Sequence, residues 1–586
     1  MTLYIEMIVK FLMFGISNIG FWEVIRRKCK EINVYFLPSL VIATQVVTLF
    51  LAGLLNILEI TTSIVLTGGI VCFGYYIIRE KSFEFLINYR KIGFVYLVAL
   101  LAVVAICVHG KIFTAYDNFS HWAVVVRRML ETNRYPNFED SIIMFQEYPL
   151  GSSTYVYYFA KCVGRQESLQ MLGQAYVMLA CLLPIFMYVR KNRIVSLTFM
   201  VLVTDFLLAY SISVTDLAVD TLLPIVSMCM ILYVYKYCSG NSEIITFWLA
   251  ALYMVFVMQI KNSGIFFVII AVIQLLSKAR KGKWKLKRLF IVMIPFVSLY
   301  LWQQHCNYVF ARSKTSKHAM TIENYKNVFN GKSIEDIKNI CYYFIKYVLT
   351  WKDIWIAIGC LGGTCVVIFF LMNRERRILK KIVIFNCTIF AFYLLGLLGM
   401  YIFSMPLGEA ITLASINRYI RTIIIAIIYI MCLVYVKVLS DIKRRREIIC
   451  ACCIILCTPF FMYTSKETYR SVLRYIEDPT ERMWFENVKS EYNIPIGEKY
   501  CILIETDDYG YAYYLGQYLF ETTEIECIAG ATEEELNTTT AKYILVYDNN
   551  STIIQKWIAD NYPEQKGNKV IERKQDEHNT NSYSSI

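Results

Sequence analysis

A carboxylate at the start of a polar segment is the residue with the clearest chemistry. Residues 116–122 read Tyr-Asp-Asn-Phe-Ser-His-Trp and directly follow an apolar block. A carboxylate at the boundary between water and hydrocarbon has a poorly screened field, so it can take a proton from an incoming hydroxyl group. Asp117 is therefore a candidate catalytic base, with His121 and Trp122 as candidate substrate-binding residues. The alternatives are that Asp117 caps the following surface helix and that Trp122 belongs to the interfacial aromatic belt.

A second acidic group follows in the same polar segment. Residues 145–153 read Phe-Gln-Glu-Tyr-Pro-Leu-Gly-Ser-Ser. Glu147 is a second candidate base, and Tyr148 beside it is a candidate substrate-binding residue. The alternative is a plain turn ahead of the next apolar block, because proline favours turns. The sequence leaves both interpretations open.

Two basic groups stand where a departing phosphate would need positive charge. Lys261-Asn262 interrupts two apolar blocks at the depth of lipid headgroups, and Arg418-Tyr419 opens a later block. Cations at such positions bind a lipid phosphate and stabilise the charge that develops as it leaves. The simpler alternatives are that Lys261 extends its ammonium group to the interface and that Arg418 pairs with Glu409.

Asp216 and Asp220 form a further acidic pair. Their spacing of four residues predicts that both face one side of a helix, where they would bind acceptor hydroxyl groups or a divalent ion. Neither a histidine nor a third carboxylate completes a recognisable metal pattern. The sequence therefore assigns no metal and no certain cofactor, and it leaves a divalent metal as an open alternative.

The elements that must position these groups are membrane-spanning helices. The chain has 586 residues, of which 57% are hydrophobic and 18% are charged, and its mean hydropathy is +0.47. Apolar blocks about twenty residues long recur along it, and a helix of that length crosses the roughly 30 Å of hydrocarbon in a bilayer. We predict an all-α polytopic membrane protein with about 13 to 14 transmembrane helices.

Basic clusters alternate along the chain with loops that contain almost no lysine or arginine, which predicts cytoplasmic and outer loops in turn. The cytoplasmic set comprises residues 26–30, 79–91, 190–193, Lys236, 278–288, 374–381 and 443–446. The opposite short loops, near 59–61, 213–216, 261–263 and 405–417, contain only Lys261. The formal net charge of +13 mostly reflects this bias, so it indicates anionic lipid headgroups and not nucleic acid as partners. The pattern predicts a multi-pass membrane protein whose basic loops face the cytoplasm.

Three regions follow from the distribution of apolar blocks. Residues 1–91 are predicted to form additional N-terminal transmembrane helices. Residues 92–463 are predicted to form a transmembrane core with two polar outer loops, 110–167 and 305–351. Residues 464–586 are predicted to form a small extracytoplasmic α/β domain with a disordered tail, because their composition is that of a soluble domain. Outer loops of this size indicate a site built on the outer face.

The C-terminal region contains strand-like and helix-like segments in turn, as a small α/β domain does. Residues 500–504 and 543–547 read as buried strands, and residues 509–520 have helical spacing. No glycine-rich phosphate loop accompanies the strands, so the sequence does not predict nucleotide binding. Cys501 and Cys527 are compatible with a disulfide, which their spacing does not require.

An aspartate just beyond a transmembrane helix, followed by surface helices, resembles the GT-C superfamily of membrane glycosyltransferases. This group includes the protein mannosyltransferases and the lipid A aminoarabinose transferases. Asp117 matches the position of their catalytic or acceptor-orienting acid. Glu147-Tyr148 with its following proline is similar to a segment before the next span in bacterial members, and Arg418-Tyr419 resembles an Arg-Tyr pair of a late span. The resemblance covers roughly residues 92–440.

The resemblance implies a hexosyl- or pentosyltransferase with a GT-C-like fold. It would move a sugar from a polyprenyl-phosphate-linked donor to a glycan, lipid or protein acceptor of the cell envelope, in polysaccharide biosynthesis. The site would lie on the outer face of a bacterial cytoplasmic membrane. One alternative is a polymerase or ligase that uses diphosphate-linked oligosaccharides, although the late outer loop 405–417 is short for that class. Another is a transporter or flippase, a class that favours inverted repeats, and no internal repeat is evident.

Overall fold

The computed structural model describes most of the chain and divides it into two units. The described residues are 2–189, 200, 214–238, 242–279, 285–311, 322–352, 354–355, 359, 376–440, 480–530, 532–547 and 551–573. The first unit contains Met1–Ile112, Arg128–Asn137 and Gln146–Arg474. The second contains Phe113–Arg127, Phe138–Phe145 and Tyr475–Ile586. The polar segment that begins at residue 110 therefore contributes to both units.

The first unit is built from helices. Within the described residues they are α1 (Thr2–Lys28), α2 (Leu37–Leu54), α3 (Leu58–Glu80), α4 (Ile92–Val108), α5 (Ala123–Thr132, which begins in the second unit), α6 (Gly151–Val163), α7 (Glu167–Leu182), α8 (Leu222–Tyr237), α9 (Ile244–Ile260), α10 (Gly264–Ala279), α11 (Lys285–Val309), α12 (Ile322–Asn330), α13 (Ile334–Thr350), α14 (Arg376–Phe403), α15 (Leu407–Ile411) and α16 (Ile416–Ser440). Short 3₁₀ helices at Val34–Phe36, Glu84–Tyr89 and Leu183–Tyr188 join or extend some of them.

Several of these helices can cross a membrane. In the described part of the chain six are long and apolar enough to do so: Ile5–Lys28, Val34–Leu54, Leu58–Glu80, Glu167–Tyr188, Lys380–Phe403 and Ile416–Lys437. Shorter apolar helices occupy Ile92–Val108, Leu222–Tyr237, Ile244–Ile260 and Gly264–Ser277. The helical membrane character that the sequence predicts is thus supported. The predicted crossings near 194–212, 353–372 and 447–463 lie largely outside the described residues.

Burial separates central helices from peripheral ones within the first unit. Most of α2 and α7 is buried, whereas most of α3 and α14 is not. Many exposed side chains in the middle of the two peripheral helices are large and apolar, as Ile64 and Val71 on α3 and Phe392 and Leu395 on α14 illustrate. Exposed apolar surface of this kind indicates contact with lipid.

Helices α1 and α3 approach each other closely because small residues face each other. A β-carbon added to Gly20 would collide with the carbonyl oxygen of Gly69, and one added to Gly69 would collide with Ser17. The Ser17 hydroxyl donates to the carbonyl oxygen of Leu66 at 2.9 Å. Small residues at such contacts are the usual way in which membrane helices bring their backbones together.

A buried lysine ties the predicted outer loop 305–351 to the end of α14. The loop contains two helices, α12 and α13, and Lys332 lies between them. Its Nζ donates to the carbonyl oxygens of Tyr401, Ile402 and Met405 at 3.0, 2.8 and 2.6 Å. The carbonyls of Tyr401 and Ile402 lie in the last turn of α14, where they lack partners inside the helix, and that of Met405 lies just beyond it. The three N–H donors of the lysine satisfy all three.

The second unit contains a four-stranded sheet with helices. Its strands are β1 (Tyr500–Ile504), β2 (Ile525–Ala529), β3 (Tyr543–Val546) and β4 (Val570–Glu572), in the order β2-β1-β3-β4. The first three are parallel to one another and β4 is antiparallel. Its helices are α17 (Thr480–Glu491), α18 (Tyr511–Phe520), α19 (Glu533–Thr538) and α20 (Thr552–Asn561). The two predicted strands and the predicted helix between them are confirmed.

Helix α18 packs against the sheet through a glycine. A β-carbon added to Gly516 would lie 2.8 Å from the Cδ1 atom of Ile502 and 3.0 Å from that of Ile525. The absence of a side chain therefore lets the helix lie close to β1 and β2. Leu515, next to it, is fully buried.

The cysteine pair of the sheet does not form a disulfide, and both thiols are free. In the parallel register Ile502 aligns with Cys527, and Cys501 aligns with Glu526. Aligned residues point to the same face of a sheet and successive residues to opposite faces. Cys501 and Cys527 therefore lie on opposite faces, which is why the pairing compatible with their spacing does not occur.

Candidate functional site

The ends of three apolar helices bring together an acid and two cations. Asp220 lies in the turn before α8, Lys261 directly follows α9, and Arg418 lies in the first turn of α16. The Nζ atom of Lys261 is 2.9 Å from Asp220 Oδ1, and Nε of Arg418 is 3.4 Å from Asp220 Oδ2. We refer to these three residues as the ion cluster. It unites two cations that the sequence proposed separately as phosphate ligands.

The ion cluster is poorly exposed to solvent. The side chains of Asp220 and Lys261 are each 13% exposed, and that of Arg418 is 36% exposed. Burial by itself would raise the pKa of Asp220, but the charges of Lys261 and Arg418 outweigh it and the pKa lies below its ordinary value. Asp220 is therefore ionised at neutral pH, and the three side chains together carry one net positive charge.

The turn that presents Asp220 is held from two helices. Gln174 on α7 donates from Nε2 to the carbonyl oxygens of Asp216 and Ala218 at 3.2 and 3.1 Å. Thr422 on α16 donates to the carbonyl oxygen of Asp220 at 3.3 Å. These bonds fix the backbone on both sides of the acid, so Gln174 and Thr422 position the carboxylate without contacting it.

The prediction that Asp216 and Asp220 share one helix face is wrong. Both precede α8, which begins only at Leu222. The carboxylate of Asp216 accepts a hydrogen bond from the backbone N–H of Ala218 at 2.5 Å. Such a local bond competes with helix formation and produces a turn. Asp216 therefore shapes the turn, while Asp220 is directed to the cations.

An aromatic ring completes the surroundings of Lys261. Its Nζ lies 5.1 Å from the ring centroid of Tyr419, a distance at which the ring attracts a cation. The carbonyl oxygen of Tyr419 accepts a hydrogen bond from the hydroxyl of Tyr393 at 3.1 Å. Asn262 follows Lys261, and its carbonyl oxygen accepts from the N–H of Ile265 at 3.2 Å, at the start of α10. Three of the predicted site residues thus converge here, with Asn262 adjacent in sequence.

Glu147 and Tyr148 also belong to the first unit, where helix α11 positions them. The carbonyl oxygen of Glu147 accepts a hydrogen bond from Nε1 of Trp302 at 3.0 Å. Both side chains are half-buried. This contact anchors the backbone of the segment, and the catalytic role of Glu147 stays a prediction.

Asp117 belongs to the second unit, immediately before a short π-helix at Asn118–Trp122. It is half-buried, and its side chain makes no capping hydrogen bond to that helix in the described part of the chain. Asp117 therefore does not cap the π-helix through its side chain, and its catalytic role stays a prediction. A π-helix is a rare conformation that is found frequently at functional sites.

His121 and Trp122 are buried among aromatic rings. The His121 ring lies 4.6 Å from that of Trp122 and 5.9 Å from that of Phe145, in edge-on arrangements. The two residues are 2% and 5% exposed. Burial of this degree favours a packing role over direct contact with a substrate.

Sequence reasoning missed the residues that assemble the ion cluster. It considered Asp220 as an acceptor or metal ligand and not as the partner of Lys261, which lies 41 positions away. Gln174, Thr422 and Tyr393 carried no signal, because a polar side chain inside an apolar helix reads as ordinary packing. Among the described residues no group of three or more histidine, cysteine, aspartate or glutamate side chains is arranged to hold a metal ion.

Comparison with known proteins leaves the chain to be interpreted from its own residues. No family model, no curated protein and no solved structure matches it.

Proposed function

We propose that this protein is a membrane glycosyltransferase of the GT-C type. It transfers a sugar from a polyprenyl-phosphate-linked donor to a glycan, lipid or protein acceptor on the outer face of the membrane. The observation that carries the proposal is the ion cluster, in which Lys261 and Arg418 converge at the ends of apolar helices. Burying an ion pair costs desolvation, so charges retained at membrane depth are usually functional.

The charge of the cluster suits a lipid phosphate. A sugar phosphodiester carries one negative charge, which matches the net positive charge of Asp220, Lys261 and Arg418. Asp220 takes one of the three N–H donors of Lys261, and it orients the ammonium group without neutralising the site. The ring of Tyr419 keeps the cation in place.

The acid and the cations have different roles in the proposed reaction. The bond between the anomeric carbon and the phosphate oxygen breaks, and a bond from that carbon to the acceptor oxygen forms. Asp117 takes the proton of the acceptor hydroxyl group. The leaving polyprenyl phosphate becomes a monoester with additional negative charge, so Lys261 and Arg418 stabilise the transition state more than the bound donor.

Contacts inside the first unit support a multi-pass arrangement. Residues that the charge pattern assigns to outer loops contact one another, as Lys161 does with Glu59 at 3.1 Å. Residues assigned to the cytoplasmic side do likewise, as the Tyr237 hydroxyl does in accepting from the backbone N–H of Asn33 at 2.9 Å. Helices that cross the membrane in alternate directions bring residues of the same side together in this way.

The donor class can be tested with the purified full-length protein in liposomes. Liposomes are supplied with a radiolabelled polyprenyl-phosphate sugar and membrane extract as acceptor. The proposal expects label to move into the acceptor fraction. Transfer only from a diphosphate-linked oligosaccharide would instead indicate a polymerase or ligase. Passage of unmodified solute or lipid across the bilayer, without transfer, would indicate a transporter or flippase.

The role of the acid is tested by Asp117→Asn. Asparagine keeps the shape of the side chain but cannot accept the proton, so we expect the transfer rate to fall by about 10³-fold. Asp560→Asn, the same change at an exposed position on α20, serves as the matched control and should leave the rate unchanged. Transfer by Asp117→Asn at the control rate would remove Asp117 from the mechanism.

A further inference from the structure

One face of helix α18 in the C-terminal domain carries three tyrosines that contact the segment around Asp117. Tyr511, Tyr514 and Tyr518 are spaced three and four residues apart, so they lie along one side of the helix. We refer to them as the tyrosine face. The opposite side carries Gly516, which packs on the sheet. The helix thus joins a fixed scaffold on one side to the residues 113–127, the acid segment, on the other.

The tyrosine face holds the backbone of the acid segment ahead of Asp117. The Tyr511 hydroxyl donates to the carbonyl oxygen of Thr114 at 3.0 Å. Arg482 on α17 donates from Nη1 to the carbonyl oxygen of Phe113 at 2.7 Å. Arg482 is 5% exposed and also pairs with Glu486 at 2.9 Å. Two consecutive carbonyls near the acid are therefore fixed by side chains of the C-terminal domain.

Aromatic contacts continue on both sides of Asp117. The ring of Tyr116 meets that of Tyr514 edge-on, with centroids 5.0 Å apart. The buried ring of Phe119 lies 5.9 Å from Tyr511 and 5.2 Å from Tyr518. Residues one before and two after the acid thus pack on the same helix face, so the position of Asp117 between them is determined by α18.

The end of the acid segment is fixed by charge. Arg127 donates from Nη1 to the carbonyl oxygen of Tyr518 at 2.6 Å and pairs with Glu521. Its guanidinium group lies 5.1 Å from the ring centroid of Tyr518. The contacts from Thr114 to Arg127 therefore span the π-helix that begins directly after Asp117.

We infer that the tyrosine face of the C-terminal domain positions Asp117 for its role as the base. The inference rests on the proposed function for that acid, and it assigns a role to the C-terminal domain. Tyr511, Tyr514 and Tyr518 are positioning residues, because they act through the acid segment. Holding a base rigidly matters since a displacement of about 1 Å can cost a factor of about 100 in rate.

The test combines hydrogen exchange with kinetics on the full chain in nanodiscs. Tyr511→Phe removes only the hydroxyl that binds Thr114, and Tyr514→Ala removes the ring that packs on Tyr116. Tyr509→Phe is the matched control, because Tyr509 lies in the turn directly before α18 and is 90% exposed. We expect amide exchange over residues 113–122 to rise about tenfold in both variants and to stay unchanged in the control.

The kinetic readout separates positioning from a loss of folding. In Tyr511→Phe we expect kcat to fall by about tenfold while KM for the lipid-linked donor stays within about twofold. Tyr514→Phe, which keeps the ring, should restore most of the activity lost in Tyr514→Ala. A general loss of folding would not discriminate between these two substitutions in this way.

Each contrary result has a distinct meaning. Unchanged exchange in Tyr511→Phe and Tyr514→Ala would overturn the inference, because the tyrosine face would not hold the segment. Faster exchange with unchanged kcat would overturn it as well, since holding the segment would not matter for the base. If the wild-type protein shows no transfer, the proposed function fails, and the exchange data alone then decide whether the tyrosine face fixes the acid segment.

Discussion

Glu23 and Asp220 are both buried carboxylates with two basic partners, but they obtain those partners differently. Glu23, on α1, pairs with Arg26 at 2.6 Å and Arg27 at 2.5 Å, three and four residues further along the same helix. It also accepts from the hydroxyl of Tyr89 at 3.0 Å. Asp220 obtains its partners from two other helices.

The difference separates a structural ion pair from a candidate binding site. The Glu23 pairs follow from helix periodicity alone, and Arg26 binds the carboxylate in a bidentate manner. That cluster is internally satisfied, because Arg27 also pairs with Glu80. In the ion cluster one carboxylate faces cations from two helices, and Arg418 contacts it through Nε at the longer distance of 3.4 Å. Two cations held at one point by separate segments are placed to contact an additional anion.

Among the tests of this comparison, the largest effect is expected from the matched changes Arg418→Gln and Arg27→Gln. Both remove an arginine that pairs with a buried carboxylate. Arg418→Gln should lower the transfer rate by about 100-fold, because it removes a cation that stabilises the leaving phosphate. Arg27→Gln should leave the rate per folded molecule within about twofold. Initial rates normalised to folded protein give the answer.

Equal losses in the two arginine variants would contradict the distinction between the Glu23 pairs and the ion cluster. They would show that Arg418 supports folding as Arg27 does and has no separate role with phosphate. A loss of rate confined to Arg418→Gln would support a separate role for Arg418 at the phosphate.

The next effect concerns stability in the variants Asp220→Asn and Glu23→Gln. Asp220→Asn leaves Lys261 without its counter-charge at 13% exposure, so we expect a loss of about 3 kcal/mol in the free energy of unfolding. Glu23→Gln should cost about 1–2 kcal/mol, because its arginines are 27% and 29% exposed and can turn toward water. Denaturant unfolding in detergent measures both.

A double variant provides the control for this stability prediction. Adding Lys261→Gln to Asp220→Asn removes both charges of the pair, so part of the lost stability should return. Strictly additive losses would mean that Lys261 and Asp220 do not interact energetically.

The smallest expected effect is on how the stability of the folded protein depends on pH. The folded-state pKa of Asp220 is lowered by its cations, so its contribution to stability is full above its unfolded pKa of about 3.9 and is lost as the pH falls through the folded value. Between pH 7 and pH 5 this contribution should be constant. Below about pH 4 the wild-type protein should lose more stability than Asp220→Asn. Parallel acid unfolding curves would contradict this prediction.

Much of the fold could be predicted because its signals are local. Apolar blocks predicted the helices of the first unit, and alternation predicted β1 and β3, since helices and strands have characteristic periods. The face of α18 was also within reach, because Tyr511, Tyr514 and Tyr518 have helical spacing. The contacts of those tyrosines could not be predicted, because the acid segment lies far away in the sequence. Thr114 and Tyr511, which form a hydrogen bond, are 397 residues apart.

The sequence by itself determined which segments are apolar enough to enter a membrane, where the small sheet forms, and which charges are available near the helix ends. Only the tertiary structure decided that Asp220 faces Lys261 and Arg418 and that helix α18 contacts the residues around Asp117. The physical reason is that periodicity and hydropathy act over a few turns of chain, whereas an ion cluster or an aromatic contact depends on how distant segments pack.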